Sequence, residues 1–127
     1  MTKQMPAFLE AAELMPYNLG NALKCGIRRG KQNPGAAIDE LEKMAWHIRR
    51  EQTLRRTVNA PIIGEKSKAK IHEICHSLAE NETAEIRTAI HYLARASTQP
   101  KARDALAMAA GAIEREIAIQ KAKAERS

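Results

Sequence analysis

The cations in the first third of the chain are spaced to act together. Lys24 and Arg28 stand four residues apart, on one face of any helix that carries them, and Arg29 and Lys31 follow closely. Asn33-Pro34-Gly35 comes next, a good helix N-cap followed by a proline suited to the first helical position. Cations converging on the free amides of a helix N-terminus make an anion site. The amides donate, the dipole attracts, and Lys and Arg neutralise. Phosphate is the natural occupant. The competing description is of solvated surface charges flanking a turn.

A second pattern lies further on. His72-Glu73-Ile74-Cys75-His76 spells His-Glu-x-x-His, which on a helix sets two imidazoles one turn apart with Glu73 as a general base for zinc chemistry. The other ligands of such a site are not at their familiar spacings. Glu82 stands where a metzincin has its third histidine, and Ala79 where it has glycine. The preferred reading is packing, with Cys75 facing the core beside Ile71, Ile74 and Leu78, and His72 and His76 edging it. No metal ligand is assigned and zinc is not expected. His47 and His91 read as boundary residues of helices. The chain holds no Gly-x-x-x-x-Gly-Lys-Ser/Thr segment, so P-loop chemistry is excluded. No catalytic residue is assigned.

The elements that must position these residues are helical. Ala, Leu, Ile, Met, Glu, Lys, Arg and Gln dominate, and strict alternation is absent. Residues 7–15 form a short amphipathic helix stopped by Pro16. A second helix runs from Tyr17 or Asn18 to Arg29, with Leu19, Leu23 and Ile27 as its stripe. Gly20 and Gly26 weaken it, which implies close approach of a neighbour or a ligand. The helix after Asn33 extends to about Arg55, with Ile38, Leu41, Ala45 and Ile48 inward and Trp46 off the stripe. Residues 56–67 read as a linker. Ile71, Ile74, Cys75 and Leu78 mark the next helix. Asn81 is expected to cap another, carrying Ile86, Ile90 and Leu93. Gln99-Pro100 opens the last, with Leu106, Ala110, Ile113 and Ile117 inward.

The expected fold is therefore all-α, a compact bundle of five or six short-to-medium helices. It joins an N-terminal helical hairpin to a C-terminal one. At 127 residues the chain makes one domain, with a sub-division into residues 1–57, a linker at 58–66 and residues 67–127. Hydrophobic residues make up 44% of it, enough for an aliphatic core. The two cysteines form no secreted disulfide framework, no apolar run is long enough to span a bilayer, and the start lacks a signal-peptide core. A cytoplasmic protein without a membrane partner is expected. The net charge of +6 favours polyanionic partners, nucleic acid or nucleotides.

The segment from Gly20 to Glu51 also resembles a known family. Gly20-Asn21-x-x-Lys24, Arg28-x-Gly30-Lys31, Asp39-x-Leu41-x-Lys43-x-Ala45-Trp46 and Arg50-Glu51 follow the core pattern of a family of small phage proteins. That family includes a podovirus nucleotide kinase that phosphorylates deoxynucleoside monophosphates without a Walker motif. Cys25 departs from it where the family usually has an aromatic, and His47-Ile48 replaces an aromatic–aliphatic pair.

The resemblance implies a nucleotide- or phosphate-binding helical protein, with Gly20, Asn21, Lys24, Arg28, Lys31, Asp39 and Lys43 as its site. It extends to a nucleoside monophosphate kinase acting in the bacterial host cytoplasm. Asn21 would bond a base, sugar or phosphate, and Lys24, Arg28 and Lys31 the phosphates. Asp39 would hold Mg2+ or pair with Arg28.

Another class remains in play: a non-catalytic nucleic-acid-binding or host-interaction (anti-defence) protein. Lys24, Arg28, Arg29, Lys31, Arg49, Arg50, Arg55 and Arg56 would form its basic stripe, continued by Lys66, Lys68 and Lys70. A two-faced helix bearing Trp46 also points to a homo-oligomer.

Overall fold

A computed structural model describes residues 5–29 and 33–126. Its described residues form six helices and no strand: α1 (Ala7–Leu14), α2 (Tyr17–Arg29), α3 (Pro34–Leu54), α4 (Glu65–Ala79), α5 (Ala84–Thr98) and α6 (Arg103–Arg126). The helices form a closed ring of neighbours. α1 packs on α2, α2 on α3, α3 on α6, α6 on α5, α5 on α4, and α4 returns to α1, while α2 also touches α5 across the middle. One core cluster draws on both halves, from Ala11, Leu19 and Leu23 to Ile90, Leu106 and Ile113. Many of its members are alanines, which let helix axes approach closely.

Local signals explain most boundaries. Asn33 caps α3, its side chain accepting from the Ala36 N–H at 2.9 Å, and Pro34 takes the first helical position. Leu41, Ala45 and Ile48 are buried as the stripe requires, and Met44 joins them. Ile38 is only half-buried.

Two expected starts are corrected. Thr83, not Asn81, is the N-cap of α5, although no side-chain hydrogen bond seals it. The helix assigned to Gln99-Pro100 begins instead at Arg103. Two turn bonds, Ala102 N–H to Gln99 O at 3.0 Å and Ala105 N–H to Ala102 O at 3.2 Å, lead into it. The segment between α3 and α4 begins one residue earlier than expected, at Arg55, and ends at Gly64.

Gly20 and Gly26 have packing reasons to be glycine. A β-carbon on Gly20 would lie 2.4 Å from the carbonyl oxygen of Ala12, so α1 and α2 cross with backbone against backbone. A β-carbon on Gly26 would meet only the Met44 side chain, its sulfur at 2.9 Å.

Candidate phosphate-binding site

α2 and α3 run antiparallel, and their register is set by pairs across the seam. Asn18 donates to Glu51 at 3.3 Å, Lys24 lies beside His47, and Gly26 faces Met44. Apolar positions of both helices turn inward, so the polar ones are left on a shared outer face. That face carries Asn21, Lys24 and Arg28 from α2, and Glu40, Lys43, His47 and Arg50 from α3.

The residues expected to form the site divide into five groups. Gly20 is buried in the α1 contact, at the floor of the groove described next. Asn21 and Lys24 are half-buried and line a groove of about 350 Å³ between α1 and α2, with Leu9, Glu13 and Tyr17. Arg28 and Lys43 are exposed, and the charge of each is felt at Cys25. Asp39 is exposed on the first turns of α3 and forms no ion pair with Arg28, which corrects that expected pairing. Lys31, like Gly30, lies outside the described residues.

Ion pairs sort the basic residues further. Arg29 bridges to Glu82 in the α4–α5 connection. Arg49 bridges to Glu114 of α6 at 2.6 Å, and Arg55 to Glu51 at 2.9 Å. Lys68 reaches Glu65, and Lys70 lies between Glu10 and Glu73. Lys43 makes a loose contact with Glu40 at 3.6 Å. Among the described residues Lys24 and Arg28 have no acidic partner, and Arg50 instead sits 5.9 Å from the Trp46 ring centre. Trp46 is 59% exposed, its ring in a T-shaped contact with that of His47. The expected basic stripe is thus broken up, because several of its members are bound into the scaffold.

The titratable groups on this seam are tuned by burial. Burial and then the neighbouring Lys24 charge hold His47 below its ordinary value, and its Nδ1 is buried without a partner. A neutral His47 avoids a second cation against Lys24. Burial raises the Cys25 thiol, and the Glu40 carboxylate beside it adds to the rise. Cys75 is pushed to about 12 by burial alone. Both thiols are free and buried, so neither is a ready nucleophile.

In the His-Glu-x-x-His segment each ring has a partner, one on α5 and one a turn further along the chain. His72 Nε2 is 2.8 Å from Thr98 Oγ1, and His76 Nε2 is 3.4 Å from Glu80 Oε1. Among the described residues, no group of three His, Cys, Asp or Glu side chains could hold a metal ion.

Sequence reasoning placed Arg55 on a solvated stripe and gave Asn18 and Glu51 no role. All three are buried. Arg55 Nε donates to Glu51 Oε2 at 2.9 Å and Nη1 to the Ala96 carbonyl at 2.9 Å. Nη2 is buried with no partner. Leaving a buried donor unsatisfied costs about 1–3 kcal/mol, and more for a charged group. The one signal in sequence was the i, i+4 spacing of Glu51 and Arg55, which any exposed helical pair shares.

No helix among the described residues is long and apolar enough to cross a membrane. Comparison of the chain with family models, curated proteins and solved structures returns no match.

Proposed function

We propose that this chain binds nucleotides through the outer face of α2 and α3, with Lys24, Arg28 and Lys43 engaging the phosphates. The observation that carries the reading is the sorting of cations. Arg29, Arg49 and Arg55 are tied to carboxylates, whereas among the described residues Lys24 and Arg28 are not, and Lys43 has only its loose contact with Glu40. Lys24 and Arg28 are also two of the residues that the phage-family resemblance marks as functional. Cations without internal partners stay available to a dianionic phosphate. Asn21 stands one turn before Lys24 at the head of the groove and would bond the sugar or base.

The reading extends to phosphoryl transfer on a deoxynucleoside monophosphate, by an architecture other than the P-loop. Mg2+ would enter with the nucleotide, and Asp39, exposed in the first turns of α3, is the carboxylate that the resemblance assigns to it.

Calorimetric titration with deoxynucleoside mono- and triphosphates tests the proposal. The wild type is expected to bind. The double variant Lys24→Ala/Arg28→Ala is expected to lose about tenfold or more in affinity. Absence of binding to every nucleotide, or a variant indistinguishable from wild type, overturns it.

A second reading is favoured by the openness of the face and by exposed Trp46 with Arg50 beside it. Such a surface suits the backbone of a polynucleotide. It predicts affinity that falls steeply with salt, and affinity for DNA that barely changes with salt removes it.

A further inference from the structure

Arg55, whose Nη2 has no partner, lines two clefts unrelated to the outer face of α2 and α3, besides a third on the Glu51 side. The larger, about 470 Å³, opens between the α3–α4 connection and the start of α6, and is lined by Arg55, Asn59, Ile62, Pro100, Lys101 and Arg103. That volume is within the range of small-molecule sites. The smaller, about 170 Å³, continues past Arg55 and Arg103 to Gln52 and Arg56. No carboxylate lines either cleft. Glu51, behind Arg55, is engaged with its Nε. Arg56, Lys101 and Arg103 are exposed and make no ion pair among the described residues.

Three features converge here. The Arg55 side chain is only 5% exposed and is held rigidly by two hydrogen bonds, which leaves a donor group unspent. Lys101 and Arg103 stand at the mouth. The N-terminal turn of the 24-residue helix α6 borders the same space through Arg103 and Leu106, and brings the positive end of its dipole. The remaining walls are Val58, Ala60, Ile62 and Pro100, so the cleft is cationic at one side and apolar at the other.

We propose that this cleft is a second binding site, for a small organic phosphomonoester. The phosphate faces Arg55, Lys101 and Arg103, and the organic body lies along Val58, Ile62 and Pro100. A dianion fits better than a monocarboxylate because Lys101 and Arg103, neither in an ion pair among the described residues, converge there beside Arg55, whose own acid, Glu51, is engaged with its Nε. Nη2 is screened from solvent. The phosphate therefore meets Lys101 and Arg103 first, and reaches Nη2 by displacing the side chains that screen it.

Amide chemical-shift mapping on the full chain tests the site, with inorganic phosphate, deoxyadenosine 5′-monophosphate and deoxyadenosine as probes. Both phosphates are expected to give saturable shifts at Asn59, Ala60 and residues 101–106, the nucleoside none, and the nucleotide to bind more tightly than inorganic phosphate. Lys101→Ser/Arg103→Ser is expected to weaken these shifts about tenfold or more. Lys24→Ala/Arg28→Ala leaves them unchanged, so this site and the outer face stand or fall separately. Both mouth residues are exposed, and a thermal melt matching wild type shows that their replacement spares the fold. Arg55→Lys keeps a cation for Glu51 but removes the Nη2 donor, and is expected to weaken binding while retaining a cooperative melt. Absence of saturable shifts in this cleft, equal shifts with the nucleoside, or shifts that persist in the double variant would each overturn the proposal.

Discussion

The two ends of the α2–α3 hairpin treat their cations in opposite ways. Towards the α2–α3 turn, Arg28 and Lys43 stand in solvent with weak partners or none. At the other end Arg55 is buried, its guanidinium fixed by Glu51, and Asn18 bonds the second oxygen of that carboxylate. An exposed cation contributes little to stability and remains available to a ligand. A buried one must be satisfied internally, and its removal from water is offset only by good geometry. The hairpin therefore separates a face that can recognise an anion from an end that holds the helices in register.

The largest effect expected from this contrast is at Glu51. Glu51→Ala leaves Arg55 buried without its acid and is expected to destabilise the fold by about 3–5 kcal/mol, read from urea unfolding. A loss under about 1 kcal/mol would mean that the end of the hairpin is solvated like its face. Next comes Gly20→Ala, which forces a β-carbon against the Ala12 carbonyl and is expected to cost about 2–3 kcal/mol. Gly26→Ala is the control. It gains about 1 kcal/mol of helix propensity, set against displacement of the Met44 side chain, so its net change is expected to be small.

Much of the fold was legible because its signals are local. Asn33-Pro34 marks the start of α3 by a cap that needs only three following residues, and the α3 stripe follows from spacing alone. The end of α3 was not legible. Arg55 is buried because Ala96, 41 positions away, offers its carbonyl, and Asn18 is placed against Glu51 from 33 positions away. The role of Gly20 was half legible: glycine signalled close approach, but only the packed chain shows that Ala12 is what approaches. The candidate site was legible as a set of cations on α2, Lys24 and Arg28, since helical spacing puts them on one face. Which other cations the scaffold had already engaged was not, because Glu82 and Glu114 come from distant helices.

A smaller effect sharpens the comparison from the open side. Lys24→Ala and Arg28→Ala are expected to change stability by no more than about 0.5 kcal/mol each, because neither makes an ion pair among the described residues. Their affinity for phosphate should nevertheless fall. The reverse pattern, lost stability with affinity intact, would place them with the scaffold.

The smallest effect is the pH dependence that His47 confers, and it touches both properties at once. Burial and Lys24 hold its folded-state value below the ordinary 6.5, so around and below that pH the unfolded chain binds the proton more readily than the folded one. Stability then rises with pH wherever the unfolded state holds the excess proton. The contribution of His47 is fully present above the ordinary value. It is lost as pH falls through 6.5 towards the depressed folded value. The difference between wild type and His47→Gln isolates it from the other titrating groups. Urea midpoints are expected to agree in shape above neutrality and diverge on the acid side, where only the wild type carries this loss. A bound phosphate reverses the sign, because an anion beside Lys24 favours the charged imidazole. The wild type should therefore gain phosphate affinity relative to His47→Gln as the pH is lowered. Parallel stability curves for the two proteins would show that His47 is solvated. An unchanged affinity ratio would move the phosphate away from Lys24.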